Sequence, residues 1–149
     1  MPSTYSVDHF VQDIRDLQSQ GLSDNEILQR GSSFLERLIA NPNCIPPEYR
    51  VPCSKGPNTN HGNYLLYKSP SLLLSAEVWG PGEYIGPHDH HVWGMIGVIE
   101  NTLNETRFRK LDDGSDPGWC ELEKTRTVLS KPGEVSLLIP EIDEIHQID

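Results

Sequence analysis

Two patterns divide the chain. Over residues 5–20, Val7, Phe10, Val11, Ile14 and Leu17 recur at three- and four-residue spacing, which puts them on one face of a helix that Gly21 stops. Ser23-Asp24-Asn25-Glu26 is a capping-box pattern, with Ser23 as N-cap and Glu26 three residues on. A second helix is predicted from Asp24 to Ala40, with Ile27, Leu28, Phe34, Leu35, Leu38 and Ile39 turned inward. Gly31 weakens its middle by up to ~1 kcal/mol relative to Ala. Asn41-Pro42 ends it. Both apolar stripes read as packing surfaces against a sheet.

Residues 41–62 are rich in Pro, Gly and Asn and read as a loop with one short helical turn near Pro46–Arg50. A connection of that length suits a segment that borders a site or covers a barrel mouth. From Asn63 the pattern turns to β. The predicted strands are Tyr64–Tyr67, Leu72–Trp79, Tyr84–His91, Trp93–Ile99, Thr102–Leu111, Trp119–Leu129 and Val135–Ile139. Gly80-Pro81-Gly82, residues 112–118 and Ser130-Lys131-Pro132-Gly133 are the turns between some of them. Short strands with Gly/Pro turns predict an all-β sandwich or barrel. Helices come first and strands later, with no βαβ alternation, so a parallel doubly wound sheet is not expected.

The candidate chemistry sits in the third of these strands, as His88-x-His90. In an extended strand, side chains at i and i+2 share a face and lie roughly 6.5–7 Å apart, so two imidazoles can converge on one metal ion. His91 then points to the opposite face. His146 follows the last predicted strand, where an antiparallel barrel can return it beside the pair. Neutral imidazole suits Zn, Cu, Fe and Ni alike, so three histidines alone do not select the metal. Glu100 and Glu105 read as turn or strand-surface residues rather than ligands. His9 falls on the first helix, and His61 lies just before a strand.

Composition narrows the partners. The chain has 149 residues, enough for one domain (1–149) with its own core, and 36% are apolar. The net charge of −10 disfavours nucleic acid and anionic membrane, because both need a basic surface. No apolar run approaches the ~18–20 residues of a transmembrane helix. The first ten residues are polar, without a signal core, which makes cytoplasmic the expected location. Cys44, Cys53 and Cys120 form no CxxC pair and are odd in number, so a disulfide framework is not expected. A monomer or weak homo-oligomer is expected.

With its flanks included, the chain resembles the cupin superfamily and, within it, the thiol dioxygenases of the cysteine and 3-mercaptopropionate type. The residues that carry the resemblance are Trp79-Gly80-Pro81-Gly82 and the run from Pro87 through His88-Asp89-His90-His91-Val92-Trp93-Gly94 to Val98. Glu105-Thr106-Arg107-Phe108, Pro132-Gly133-Glu134-Val135 and Ile145-His146 extend it. The likeness covers residues 63–149 and reaches loosely into the helical segment, 1–41. It implies an all-β jelly-roll barrel (the cupin double-stranded β-helix) with two N-terminal α-helices. It also implies Fe(II) held by His88, His90 and His146. The implied substrates are a small-molecule thiol and O₂, which combine to a sulfinic acid. Asn63, Trp93 and Arg107 are the substrate-contact candidates.

Departures from the family carry expectations too. Gly94 stands where animal-type cysteine dioxygenases have a Cys that crosslinks to a Tyr, so no crosslink is expected. Asn63 stands where a substrate-binding Arg would be, and it offers a hydrogen bond without charge. Arg107 or Arg109 is the candidate replacement cation, against a reading of both as surface residues on alternating strand positions. The family usually continues past the third His with a strand bearing Ser, His and Tyr. The C-terminal strands are therefore expected to be missing, with an exposed sheet edge and weak or absent turnover. The alternatives are another cupin metalloenzyme, such as a C–C cleaving dioxygenase acting on a diketone-like substrate, or a non-catalytic cupin that binds metal or small molecules.

Overall fold

The computed structural model describes residues 4–52 and 61–149. Cys53, Gly56, Asn58 and Asn60 of the predicted loop lie outside the described residues.

Helix α1 spans Val7–Gln18 and buries Phe10, Val11, Ile14 and Leu17, the stripe its spacing predicts. Ser6 and His9 form its capping box, with the Ser6 hydroxyl accepting from the His9 backbone N–H and the His9 ring accepting from the Ser6 N–H. Helix α2 spans Asp24–Ile39 and is capped by Ser23 and Glu26 as predicted. Gly31 has a packing reason in its middle. A Cβ there would stand 3.0 Å from Ile14 Cδ1 and 3.4 Å from Met95 Cε, so glycine lets α1 and the sheet approach α2. The predicted helical turn is a 3₁₀ turn over Pro47–Tyr49.

Eight strands follow: β1 His61–Ser69, β2 Leu72–Trp79, β3 Ile85–His88, β4 Gly94–Gly97, β5 Leu103–Lys110, β6 Leu122–Ser130, β7 Val135–Leu138 and β8 Ile145–Ile148. They form three antiparallel sheets: β1-β2, β4-β7, and a four-stranded sheet in the order β3-β8-β5-β6. The protein is thus β-rich with two leading helices. Among the described residues the hydrogen bonding does not close into the expected barrel, because the three sheets share no ladder. β8 is an inner strand of the four-stranded sheet. β8 pairs with β3 on one side and β5 on the other, and the Asp149 N–H donates to Asn104 O. The edges of that sheet are β3 and β6.

The main core lies between the helices and the sheets. Tyr5, Phe10, Val11, Ile14, Leu17, Leu35, Leu38, Cys44 and Leu72 are its buried members, with Met95, Trp93 and Val135 packed against them. A smaller cluster of Val98, Leu103 and Ile148, backed by Trp79, Ile85 and Ile96, sits beside β8. Gly94 faces Leu138 across the β4-β7 ladder, and a Cβ there would lie 3.1 Å from Leu138 Cδ1. Close strand packing therefore explains the glycine at the position that the family resemblance singles out. Cys44 is a free, buried thiol whose pKa is raised by that burial; Cys120 is free and exposed. No helix is long and apolar enough to cross a membrane among the described residues.

Candidate metal centre

The strand carrying the histidine pair is shorter than the predicted Tyr84–His91. β3 ends at His88, and His90 lies beyond it in irregular chain. His91 has φ 57, a left-handed backbone that stops any continuing ladder. The two imidazoles still converge, but a turn brings them together rather than the strand pleat. Their ring centroids are 4.9 Å apart.

The third histidine arrives by strand pairing. His146 is the Cα partner of His88 across β3-β8 and of Arg107 across β8-β5. The His88 and His146 rings lie 4.5 Å apart, and His90 Nε2 is 3.2 Å from His146 Nε2. One ligand atom from each of His88, His90 and His146 falls within 4.8 Å of the others, a spacing that could hold a metal ion. His146 is buried, His88 half-buried and His90 exposed.

Hydrogen bonding turns the rings. His88 Nδ1 is 2.8 Å from Gly86 O, which can only accept, so Nδ1 carries the proton and Nε2 keeps its lone pair. His146 Nδ1 likewise faces Glu105 Oε2 at 2.8 Å. An imidazole that donates one N–H to a carbonyl or carboxylate and presents the other nitrogen is the usual form of a metal-ligating histidine. At His90, desolvation and then the neighbouring His88 and His146 hold the pKa below the ordinary imidazole value. Its lone pair is thereby favoured over a proton.

Glu105 corrects the sequence reading. It is not a surface residue but fully buried at 0% exposure, with its carboxylate on His146. Burial alone would raise its pKa. The His146 hydrogen bond, the Arg107 charge and Ser136 outweigh that and hold the carboxyl below its ordinary value.

Arg107 is the second correction. The surface reading fails, since the side chain is 1% exposed. Its Nη1 donates to Leu137 O at 2.9 Å and to Asp143 O at 2.8 Å, and Nη2 donates to Ser136 Oγ. Glu105 Oε2 and Asp143 Oδ2 each lie 3.4 Å from it. Its polar contacts tie β5 to β7 and to the turn before β8, and it stands outside the cavity wall. Arg109, by contrast, is exposed and pairs with Glu123. Two charges of opposite sign two residues apart on one strand were the signal for this pair, because that spacing lets them meet on one face.

A cavity of about 840 Å³ opens onto the three histidines. Its wall includes Leu74, Trp79, Ile85, Trp93, Met95 and Leu138, mostly apolar. Trp93 therefore stands where a substrate could touch it. Asn63 does not line the wall; it is exposed and its carboxamide donates to Glu77, which does line it. Glu77 also meets His61 Nε2 at 2.8 Å and Ser75 Oγ at 3.1 Å. Asp24 and Glu77 are the charged carboxylates of the wall, and it holds no Lys or Arg among the described residues. No protein-family model matches this chain.

Proposed function

We propose that the chain is a cupin-type, non-haem iron thiol dioxygenase, its three sheets an open form of the jelly roll. The observation that carries this reading is the convergence of His88, His90 and His146 at the foot of an apolar cavity. Two of the rings are turned by Gly86 and Glu105 so that Nε2 keeps its lone pair. The donor set fits a divalent first-row ion, because three neutral imidazoles suit iron and leave coordination positions open. Bound Fe(II) would accept a thiolate and O₂ and pass electrons from sulfur to oxygen.

The overall change is RSH + O₂ → RSO₂⁻ + H⁺. Sulfur is oxidised, O₂ is reduced, and both oxygen atoms end on sulfur. The protein's part is positional. Glu105, held ionised by its His146 hydrogen bond and then by the Arg107 charge, fixes the His146 tautomer. Gly86 fixes that of His88. Trp93, Met95 and Leu138 supply an apolar wall that limits water at the reacting sulfur.

The acidic wall residues favour a second reading over recognition of a carboxylate-bearing thiol. An uncharged substrate, such as a diketone cleaved between carbons, meets no repulsion from Glu77. Anaerobic reconstitution with Fe(II), then aerobic incubation with cysteine, 3-mercaptopropionate and a diketone, tests both. Sulfinate detected by mass is the expected result. An iron-loaded protein that yields only carbon–carbon cleavage products, or no product, overturns the first reading.

A further inference from the structure

The segments that carry the three histidines carry a second set of ligand atoms. Asp89 lies between His88 and His90, His91 follows them, and Glu144 precedes His146 by two residues. One ligand atom from each of Asp89, His91 and Glu144 lies within 4.8 Å of the others. His91 Nε2 is 3.0 Å from Asp89 Oδ1.

Glu144 gives this cluster its meaning. The residue is 7% exposed, and its Oε2 is shielded from solvent with no hydrogen-bond partner among the described residues. A buried carboxylate oxygen without a partner is costly, and a cation is the partner that offsets most. Asp89 and His91 stand at the solvent side, where an ion can enter. Two carboxylates also neutralise a divalent charge.

We propose that Asp89, His91 and Glu144 form a second metal site, for a divalent cation of borderline hardness such as Zn²⁺. One imidazole and two carboxylates are a familiar donor set for zinc, whose fourth position water can fill. Roughly tetrahedral bonds of about 2.0–2.2 Å put ligand atoms some 3.3–3.6 Å apart, within reach of the present spacing. The ion would clamp the 89–91 turn to the segment before β8, the same two segments that bring His90 and His146 together. It does not depend on iron or on turnover at the other site.

Zinc stoichiometry of the full chain tests it, by equilibrium dialysis at micromolar Zn²⁺ with metal analysis. The wild type should hold two equivalents, and His91→Ala, Glu144→Gln and His88→Ala one each. Circular dichroism checks the fold of each variant. His91 is exposed, so H91A keeps the test decisive if E144Q fails to fold. Wild-type stoichiometry in H91A and E144Q overturns the site, and so does a single wild-type equivalent that only H88A abolishes. Loss in H91A and E144Q with no change in H88A upholds this site and removes the three-histidine ion instead.

Discussion

His146 and His90 face each other across 3.2 Å, yet different kinds of structure hold them. His146 sits in an inner strand of a four-stranded sheet, buried, with Glu105 on its ring and Arg107 behind Glu105. His90 sits in an irregular turn and is exposed. One ligand is built into the fold, while the other is brought to it. A preorganised ligand loses less freedom when metal arrives, so the His146 side should dominate affinity.

The comparison breaks most directly at His146. His146→Ala should abolish tight iron binding, read by metal analysis after anaerobic reconstitution. It also leaves Glu105 without its donor, at a cost of about 1–3 kcal/mol in denaturant unfolding. Iron retained at wild-type occupancy would show that the rigid side is not the anchor.

Arg107→Met comes next. It strips the counter-charge from buried Glu105, and breaking such a pair costs about 3–5 kcal/mol. An unfolding midpoint equal to wild type would mean that the Arg107 contacts carry no weight.

Glu105→Gln opens the same ion pair from the other side but leaves Asp143 beside Arg107, so its cost to stability should be below that of R107M. Losing the charged acceptor on His146 should weaken metal binding about 10–100-fold with the fold intact. Unchanged affinity would mean that strand pairing alone orients the ring.

His90→Ala should have the smallest effect on stability, within about 0.5 kcal/mol, as for other exposed substitutions. Its loss in affinity should be smaller than that of H146A. Equal losses would erase the distinction between the two sides.

The same contrast separates what the chain's pattern reveals from what it hides. Both helices follow from apolar spacing, and Leu72–Trp79 is a strand with the bounds that its residues suggest. The three histidines were legible as a set, because HxH in a turn still converges when its neighbour strand arrives. The environment of the set was hidden. Glu105 and Arg107 look like solvated residues in sequence, and only the β5-β8 register puts them under His146. Nothing local signals that β8 is an inner strand, since pairing partners lie far off in the chain. The capping role of His9 was missed because a His at that position is a rarer cap partner than Glu or Gln.

Register also sets the order of assembly. The His90–His146 contact spans 56 residues and the Glu105–His146 contact 41. Helices α1 and α2 need only local contacts, whereas these wait on closure of long loops, which slows folding. The ion-binding geometry should therefore appear late, with β8 docking as its gate. In stopped-flow refolding, metal uptake should lag the helical signal.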